Sequence, residues 1–346
     1  MKKLYTLFAV LLVAAMLLPA CAPAEADCSS EDVFCVGLVT DVGKINDKSF
    51  NQSAWEGVQQ AEADLGALVQ YIETADAKDY AKNIATFADA NYDVIVTVGF
   101  NLGEATRTAA GTYPNVSFIG VDQDQFEGTI ENVTGLVFPE DNAGFLVGAL
   151  AAMLSESHAI GAVCGTDAVP PVWRFGEGYK AGAAYADGMM GSTTEVFVVY
   201  HSDVGFDKTF TDPEWGAQTA QSMMDQGADA IFGCGGITGN GAITAAAQAG
   251  AYAIGVDADQ YFALPEAAPR MLSSATKLIT PGVFDLIKAA QDGNAPSGNY
   301  FGDAGYAPYH DLESEVPADV KAEMEKISAG LIDGSITTNV PPVKPE

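Results

Sequence analysis

The segment IGVDQD at residues 119–124 recurs in the second half of the chain as IGVDAD at residues 254–259. Each copy follows a short apolar run, YDVIVTVG at 92–99 and ADAIFG at 228–233. Asp122 lies 29 residues after Asp93, and Asp257 lies 28 residues after Asp229. A strand, helix and strand that end twice in the same turn predict two lobes of one design.

The rest of the chain alternates short β-rich runs with longer amphipathic segments, as in parallel sheets covered by helices. The predicted strands are residues 36–40, 68–72, 94–98, 117–121, 160–164, 196–200, 230–233 and 253–256. The predicted helices are residues 49–64, 79–90, 103–112, 143–154, 176–187, 215–226, 239–249 and, in the tail, 318–331. The predicted class is α/β with doubly wound parallel sheets. Ligands bind at the carboxyl ends of such strands, so Asp122 and Asp257 are expected to face each other across one cleft.

Composition and charge exclude some classes of function. The 346 residues leave room for two ordinary domains, and 48% of them are apolar, which is typical of a globular protein. Forty-six acidic residues against sixteen basic ones give a net charge of −30, which repels nucleic acid over most of the surface. The classes of function that remain are a soluble enzyme and a soluble binding protein.

Enzyme signatures are weak. The sequence has no Gly-x-Ser-x-Gly motif, and its three histidines, His158, His201 and His310, are far apart in sequence. The glycine-rich stretch at 233–239 imitates a dinucleotide fingerprint, but its third glycine is misplaced. We therefore predict a protein that is not an enzyme and that needs no cofactor or metal.

The N-terminus predicts export. Lys2 and Lys3 precede a 15-residue run at 4–18 of weakly polar to apolar character, which is short for a membrane span. The ending Leu-Pro-Ala-Cys at 18–21 resembles a bacterial lipobox, although proline at 19 is unusual. This resemblance implies that Cys21 carries a lipid and that residues 22–32 form a tether. A plain cleaved signal with a chance cysteine is the alternative.

Export places the other four cysteines in an oxidising compartment, where they fall into two pairs. Cys28 and Cys35 flank a short polar segment and are able to close a small loop. Cys164 and Cys234 end two strands that we expect to lie side by side. Disulfides are the hypothesis for both pairs, with buried free thiols as the alternative for the second.

Six short motifs together resemble the basic membrane protein lipoproteins, the substrate-binding components of ABC importers for purine nucleosides. The similarity extends in order from residue 36 to residue 309. The motifs are DKSFNQSAW at 47–55, GVD at 120–122, PPV at 170–172 with Phe175-x-x-Gly178, GGxxGxG at 235–241, GVDxDQ at 255–260 and Ser274-x-x-Lys277.

This resemblance implies the type I periplasmic-binding fold, with two doubly wound lobes joined by a three-stranded hinge. The expected organisation is a signal peptide with its lipobox at 1–21 and a tether at 22–32. Residues 33–153 and 278–310 are expected to form the N-terminal lobe, and residues 154–277 and 311–346 the C-terminal lobe. The expected location is extracytoplasmic, anchored to the cell membrane through lipid. The expected partners are an ABC permease and inosine, guanosine or adenosine.

The first lobe supplies the expected base contacts. Asp41 ends the first strand, and Asn46 and Asp47 precede the first helix. Asn and Asp side chains are able to read the donor and acceptor edge of a base, and the resemblance assigns that role to Asn46, Asp47 and Asn51. The alternative for Asp47 is a helix cap.

The second lobe supplies the expected sugar contacts. A carboxylate accepts hydrogen bonds from paired hydroxyls, and the resemblance assigns Asp257 and Lys277 to ribose. Asp122 occupies the matching strand end, although either Asp alternatively caps its own turn. Gly236, beside Gly235, is expected to let backbone N–H groups approach the ligand.

A flat base also needs flat walls. Phe206 resembles the stacking residue of the family. The residue of the first lobe that stacks on the other face of the base is not decided, because Ile45 stands where the family often has an aromatic residue. Phe50 and Phe100 are the candidates. These candidates include no arginine cluster for phosphate, so the cargo is predicted to be neutral. A sugar-binding protein or a ligand sensor of the same fold is the alternative function.

Overall fold

The computed structural model describes residues 28–345. The predicted signal peptide, Cys21 and most of the predicted tether lie outside the described residues. No helix between residues 28 and 345 combines the length and the apolar character that a membrane span requires.

The described chain alternates strands and helices. The strands are β1 (Cys35–Val39), β2 (Leu68–Ile72), β3 (Val94–Val98), β4 (Ser117–Val121), β5 (Val133–Val137), β6 (Ala159–Cys164), β7 (Glu195–Tyr200), β8 (Ala230–Cys234), β9 (Tyr252–Asp257), β10 (Met271–Lys277), β11 (Gly298–Phe301) and β12 (Ala304–Tyr306). The helices are α1 (Phe50–Leu65), α2 (Tyr80–Asp89), α3 (Gly103–Thr112), α4 (Glu140–Leu154), α5 (Pro170–Met190), α6 (Phe206–Thr209), α7 (Pro213–Asp225), α8 (Gly236–Gln248), α9 (Gln260–Ala263), α10 (Ile279–Gln291) and α11 (Ala318–Asp333).

These elements build two lobes, each around a six-stranded sheet. The first sheet has the order β2-β1-β3-β4-β5-β11 and is parallel throughout. The second has the order β7-β6-β8-β9-β10-β12, and only β12 runs antiparallel, against β10. Both sheets are doubly wound, with the order reversing beside β1 and β6, so the predicted α/β class is confirmed.

The chain crosses between the lobes three times, after β5, after β10 and after β11. Two predicted boundaries are wrong. The boundary at 153 falls too late, because α4 packs into the core of the second lobe, where Phe145 and Leu150 join Phe175 and Tyr179. The boundary at 310 also falls too late, because β12 already pairs with β10 of the second sheet.

The α4–α5 pair forms a close helix contact that holds one side of the site. A Cβ atom on Gly148 would lie 2.1 Å from the carbonyl oxygen of Tyr179, and one on Gly182 would lie 1.9 Å from that of Phe145. The two backbones therefore touch at positions that only glycine permits. This contact fixes the N-terminal half of α4, which begins at Glu140 in the cleft.

Two disulfides are present in the structure. Cys28 bonds to Cys35, and Cys164 bonds to Cys234. The second pair sits at directly opposed positions of β6 and β8, at the carboxyl ends of both strands. The buried free-thiol alternative therefore does not describe this structure.

The two disulfides should differ in their contribution to stability. The Cys164–Cys234 bond spans 70 residues and the Cys28–Cys35 bond spans 7. Loop-closure entropy predicts losses in the free energy of unfolding of about 4 kcal/mol for Cys164→Ala with Cys234→Ala, and about 2 kcal/mol for Cys28→Ala with Cys35→Ala. Urea unfolding without reductant measures both. Equal losses, or a larger loss for the short loop, would contradict this ranking.

Candidate functional site

A cavity lies between the lobes at the carboxyl ends of the central strands. The space between its walls is about 740 Å³ when the part open to solvent is included. Its lining residues are Asp41, Gly43, Lys44, Asp47, Phe50, Asn51, Gly99, Phe100, Asn101, Asp122, Val169, Pro171, Val172, Phe175, Phe210, Thr211, Cys234, Gly235, Gly236, Ile237, Val256, Asp257 and Lys277.

The two repeated aspartates meet in this cavity. Asp122 follows β4 and Asp257 ends β9, and both line the same hollow. Both take the left-handed backbone conformation, with φ of 59° and 64°. Asp and Asn tolerate this conformation better than most residues, so the same backbone turn recurs at both strand ends.

Lys277 joins the lobes electrostatically. Its Nζ lies 2.8 and 2.6 Å from the two carboxylate oxygens of Asp122 and 3.2 Å from Glu140. Glu140 also pairs with Arg174, which donates to the carbonyl oxygen of Phe138 at 2.6 Å. Lys277 is 3% exposed, and its ammonium donors face these carboxylates. In the structure Lys277 neutralises its acidic neighbours on the cavity wall, and the ribose contact that the resemblance implies for it stays a prediction.

Asp47 caps the first helix. Its Oδ1 accepts from the backbone N–H groups of Ser49 and Gln52, and its Oδ2 accepts from the N–H of Asn51. The side-chain amide of Asn51 donates to Asp47 as well, at 3.2 Å. Although Asp47 lines the cavity, these bonds engage both of its oxygens. The capping alternative therefore describes Asp47 in this structure.

Asn51, which lines the cavity, has an acceptor without a partner among the described residues. Its Nδ2 donates to Asp41 at 3.1 Å, while its buried Oδ1 has no hydrogen-bond partner among the described residues. The side chain is 4% exposed. A buried acceptor without a partner is costly, so this atom is suited to a donor on a ligand.

Asp41 is held in a confined position. A Cβ atom on Gly43 or Gly99 would lie 2.9 Å from a carboxylate oxygen of Asp41. Burial raises the pKa of Asp41 to about 7, helped by the negative charges of Asp47 and Asp122 and opposed by the hydrogen bond from Asn51. Burial likewise raises the pKa of Asp47 to about 6. Burial also raises the pKa of Asp257, against the attraction of Lys277.

These shifts predict how stability depends on pH. An unfolded aspartate has a pKa of about 3.9. The stability gained by protonating Asp41 is therefore complete below pH 4 and lost as pH rises through about 7. We expect the thermal midpoint of the ligand-free protein to fall from pH 5 to pH 8, and Asp41→Asn to flatten that fall. Equal slopes in the variant and the wild type would contradict the assignment.

Four aromatic rings, from both lobes, line the cavity: Phe50, Phe100, Phe175 and Phe210. Phe206 is not among them and is 43% exposed at the start of α6. Phe210, just after that short helix, packs against Gly165 and reaches the cavity wall instead. Asn46 is also exposed and outside the lining. The structure therefore does not place Phe206 or Asn46 at the site predicted for them.

Other predicted residues do come together. Asp41, Asp47, Phe50, Asn51, Asp122, Gly236, Asp257 and Lys277 all line the cavity. Gly236 opens α8 with a φ of 56°, two residues after the disulfide residue Cys234. Sequence reasoning missed Phe210 and Glu140. The sequence offered one signal for Phe210, which is an aromatic residue four positions after Phe206. Glu140 can be recognised only from its distance to Lys277 in the structure.

The chemistry of the lining suits capture of a neutral polar molecule. The two lysines on the wall are both paired, Lys44 with Glu73 at 3.3 Å and Lys277 with Asp122 and Glu140. Among residues 28–345, no group of three or more His, Cys, Asp or Glu side chains is arranged to hold a metal ion. Two doubly wound lobes that enclose such a cavity define a solute-binding protein.

Comparison with known proteins gives the family. The Bmp family model, described as ABC transporter substrate-binding protein PnrA-like, matches residues 34–301. The chain belongs to this family. It is thus a substrate-binding protein of an ABC transporter and not an enzyme, and the resemblance seen in its motifs is confirmed.

Individual relatives and a solved structure show the same similarity. The chain is 28% identical to the ABC transporter nucleoside-binding protein BmpA of Lactococcus lactis, over 97% of this chain and 98% of that protein. It is 30% identical to an uncharacterized lipoprotein of Pyrococcus abyssi, over 76% of this chain and 65% of that protein. The crystal structure of a solute-binding protein of an ABC transporter system from Aeropyrum pernix is 26% identical and superposes with a TM-score of 0.78, covering 88% of this chain and 92% of that one.

Proposed function

We propose that this protein captures purine nucleosides by closure of its two lobes and delivers them to an ABC permease from the outer face of the membrane. The observation that carries the proposal is the shared cavity, where Asp122 and Asp257 meet beside the unpartnered Oδ1 of Asn51. No covalent step is involved. The relative in Lactococcus lactis that is named nucleoside-binding supports the same ligand class.

The first lobe provides polar groups for the base. The free Oδ1 of Asn51 accepts a hydrogen bond from a ring N–H or an exocyclic amine. Asp41, with a pKa of about 7, is available near neutral pH both as an acid that donates and as a carboxylate that accepts. Such a pair matches the mixed donor and acceptor edge of a purine.

The second lobe provides a carboxylate for the sugar. Oδ2 of Asp257 accepts from the Ser49 hydroxyl at 2.7 Å, and within residues 28–345 no protein group donates to Oδ1. That oxygen is available to a ribose hydroxyl. The apolar rings of Phe100 and Phe210 line the same cavity and offer faces for a heterocycle, a contact of about 1–3 kcal/mol per base in single-strand binders.

Charge restricts the ligand further. Both lysines on the wall are paired with carboxylates, so the lining offers no unpaired cationic side chain to a phosphate group. The ligand is therefore a nucleoside rather than a nucleotide.

Calorimetry on ligand-stripped protein tests this proposal. Protein unfolded in denaturant, dialysed and refolded is titrated with inosine, guanosine and adenosine, with ribose, galactose and inosine monophosphate as comparison ligands. We expect binding of at least one nucleoside and none of the monophosphate. Binding of galactose but no nucleoside would replace the proposal by the sugar-binding alternative.

Membrane attachment through lipid on Cys21 completes the proposal. Several relatives are named lipoproteins. Metabolic labelling with a fatty acid should mark the wild type and not Cys21→Ala. Equal labelling of both would contradict the assignment of Cys21, whereas the cavity would be unaffected.

A further inference from the structure

A chain of hydrogen bonds crosses between the lobes outside the ligand cavity. Oε1 of Gln260 accepts from the backbone N–H of Val256 at 2.9 Å. Its Nε2 donates to the carbonyl oxygen of Lys48 at 2.9 Å and to Oδ1 of Asn240 at 2.8 Å. Nδ2 of Asn240 donates to the carbonyl oxygen of Asp47 at 2.8 Å. Gln260 and Asn240, which we call the closure bridge, belong to the second lobe, and both accepting carbonyls belong to the first.

The orientation of both amides follows from these partners. The N–H of Val256 only donates, so the oxygen of Gln260 must face it and the nitrogen must face the first lobe. The oxygen of Asn240 then faces Gln260, and its nitrogen faces Asp47. Each hydrogen bond of the bridge is therefore donated in the direction that leads from β9, which ends in Asp257, to the turn before α1.

The first-lobe end of the bridge is conformationally special. Lys48 takes a left-handed backbone conformation with φ of 63°. A residue with a Cβ atom rarely adopts this conformation, and such residues cluster where the fold requires a particular direction of the backbone. At this turn the backbone carbonyl groups of Asp47 and Lys48 both accept hydrogen bonds from the second lobe.

We propose that Asn240 and Gln260 are positioning residues that hold the two lobes in the closed arrangement. Neither residue lines the ligand cavity. The bridge instead joins Val256, next to Asp257, to Asp47, whose carboxylate orients Asn51. It therefore sets how long the cavity stays shut, and it rests on the proposed capture by closure.

Asn240→Ala is the first test, because Asn240 is partly exposed and its loss leaves the bonds of Gln260 to Val256 and Lys48 in place. We expect inosine to dissociate about two- to tenfold faster, the range given by one net hydrogen bond, while its association rate stays the same. Asn240→Asp has nearly the same volume but no donor for the Asp47 carbonyl, so it should behave alike. Gln248→Ala, at an exposed position of the same helix, is the matched control.

A second measurement needs no ligand. Single-molecule energy transfer between dyes attached through unnatural amino acids at exposed Glu104 and Gln218 reports the separation of the lobes. The closed fraction should fall in both Asn240 variants and stay unchanged in the Gln248 control, with equal urea stability in all four proteins. Unchanged dissociation with an unchanged closed fraction would overturn the bridge. If the wild type binds no nucleoside, the proposed function fails, and the closed fraction still tests the bridge.

Discussion

Replacing Asp257 by alanine is expected to weaken inosine binding by about tenfold or more, because the change removes a charged acceptor from a buried site. Asp257 is 7% exposed and lines the same cavity as Asp122. A hydrogen bond to a charged partner contributes about 1.5–3 kcal/mol, which corresponds to a change in affinity of about tenfold to a hundredfold. Calorimetry with inosine and guanosine measures the loss.

Ser49→Ala separates two roles of Asp257. The Ser49 hydroxyl donates to Oδ2 of Asp257 across the cleft, at 2.7 Å. Ser49→Ala therefore removes this contact between the lobes and leaves the Asp257 carboxylate in place. We expect Ser49→Ala to weaken binding less than Asp257→Ala does. Equal losses would mean that Asp257 acts through closure alone, and unchanged affinity in Asp257→Ala would refute its contact with the ligand.

Replacing Lys277 by methionine should produce a large loss of stability. Lys277 lies within hydrogen-bond distance of Asp122 and Glu140, and the side chains of all three residues are at most 7% exposed. Removing one partner of a buried ion pair costs about 3–5 kcal/mol, because the remaining charges stay buried without compensation. Urea unfolding at pH 7 measures the change. The change also removes the attraction between the ammonium and the rings of Phe50 and Phe138, whose centres lie 5.0 and 5.1 Å from Nζ.

Two comparisons make this prediction specific. Lys288→Met removes an exposed pair with Asp292 and should change stability by less than about 1 kcal/mol. Adding Asp122→Asn to Lys277→Met should restore part of the loss, since it removes the carboxylate that is left without a cation, whereas Glu140 keeps its pair with Arg174. If Lys277→Met is as stable as Lys288→Met, the buried network does not hold the cleft together as we infer.

Much of the fold was visible in the sequence because its signals are local. Strands such as β3 and β6 are short apolar runs, and each is completely buried, as in a sheet covered on both faces. The pattern does not predict the strand β10, because its buried positions include Ser273, Ser274 and Lys277, which break the apolar run. The wrong lobe boundary at 153 has a similar cause, since nothing local in α4 says which of two cores its apolar surface joins.

The site was predicted less evenly. The repeated turn located Asp122 and Asp257 correctly at one cavity, since equal spacing after equal strands leads to equal strand ends. The sequence indicates Phe206 through its resemblance to the stacking residue of the family, but Phe206 and Phe210 both follow β7, and only the fold of the short helix α6 decides which ring lines the cavity. The cap formed by Asp47 was visible as an alternative in the sequence, but the choice between cap and ligand contact required the three N–H groups around it.

The sequence by itself determined two repeated α/β lobes with an aspartate at matching strand ends, because periodicity and turn chemistry act between near neighbours. Only the tertiary structure decided which polar groups remain free. Lys277 meets Asp122 across 155 residues of chain and Gln260 meets the Lys48 carbonyl across 212. Such contacts depend on how the two lobes close, and closure brings together groups whose separation along the chain carries no information about their distance in space.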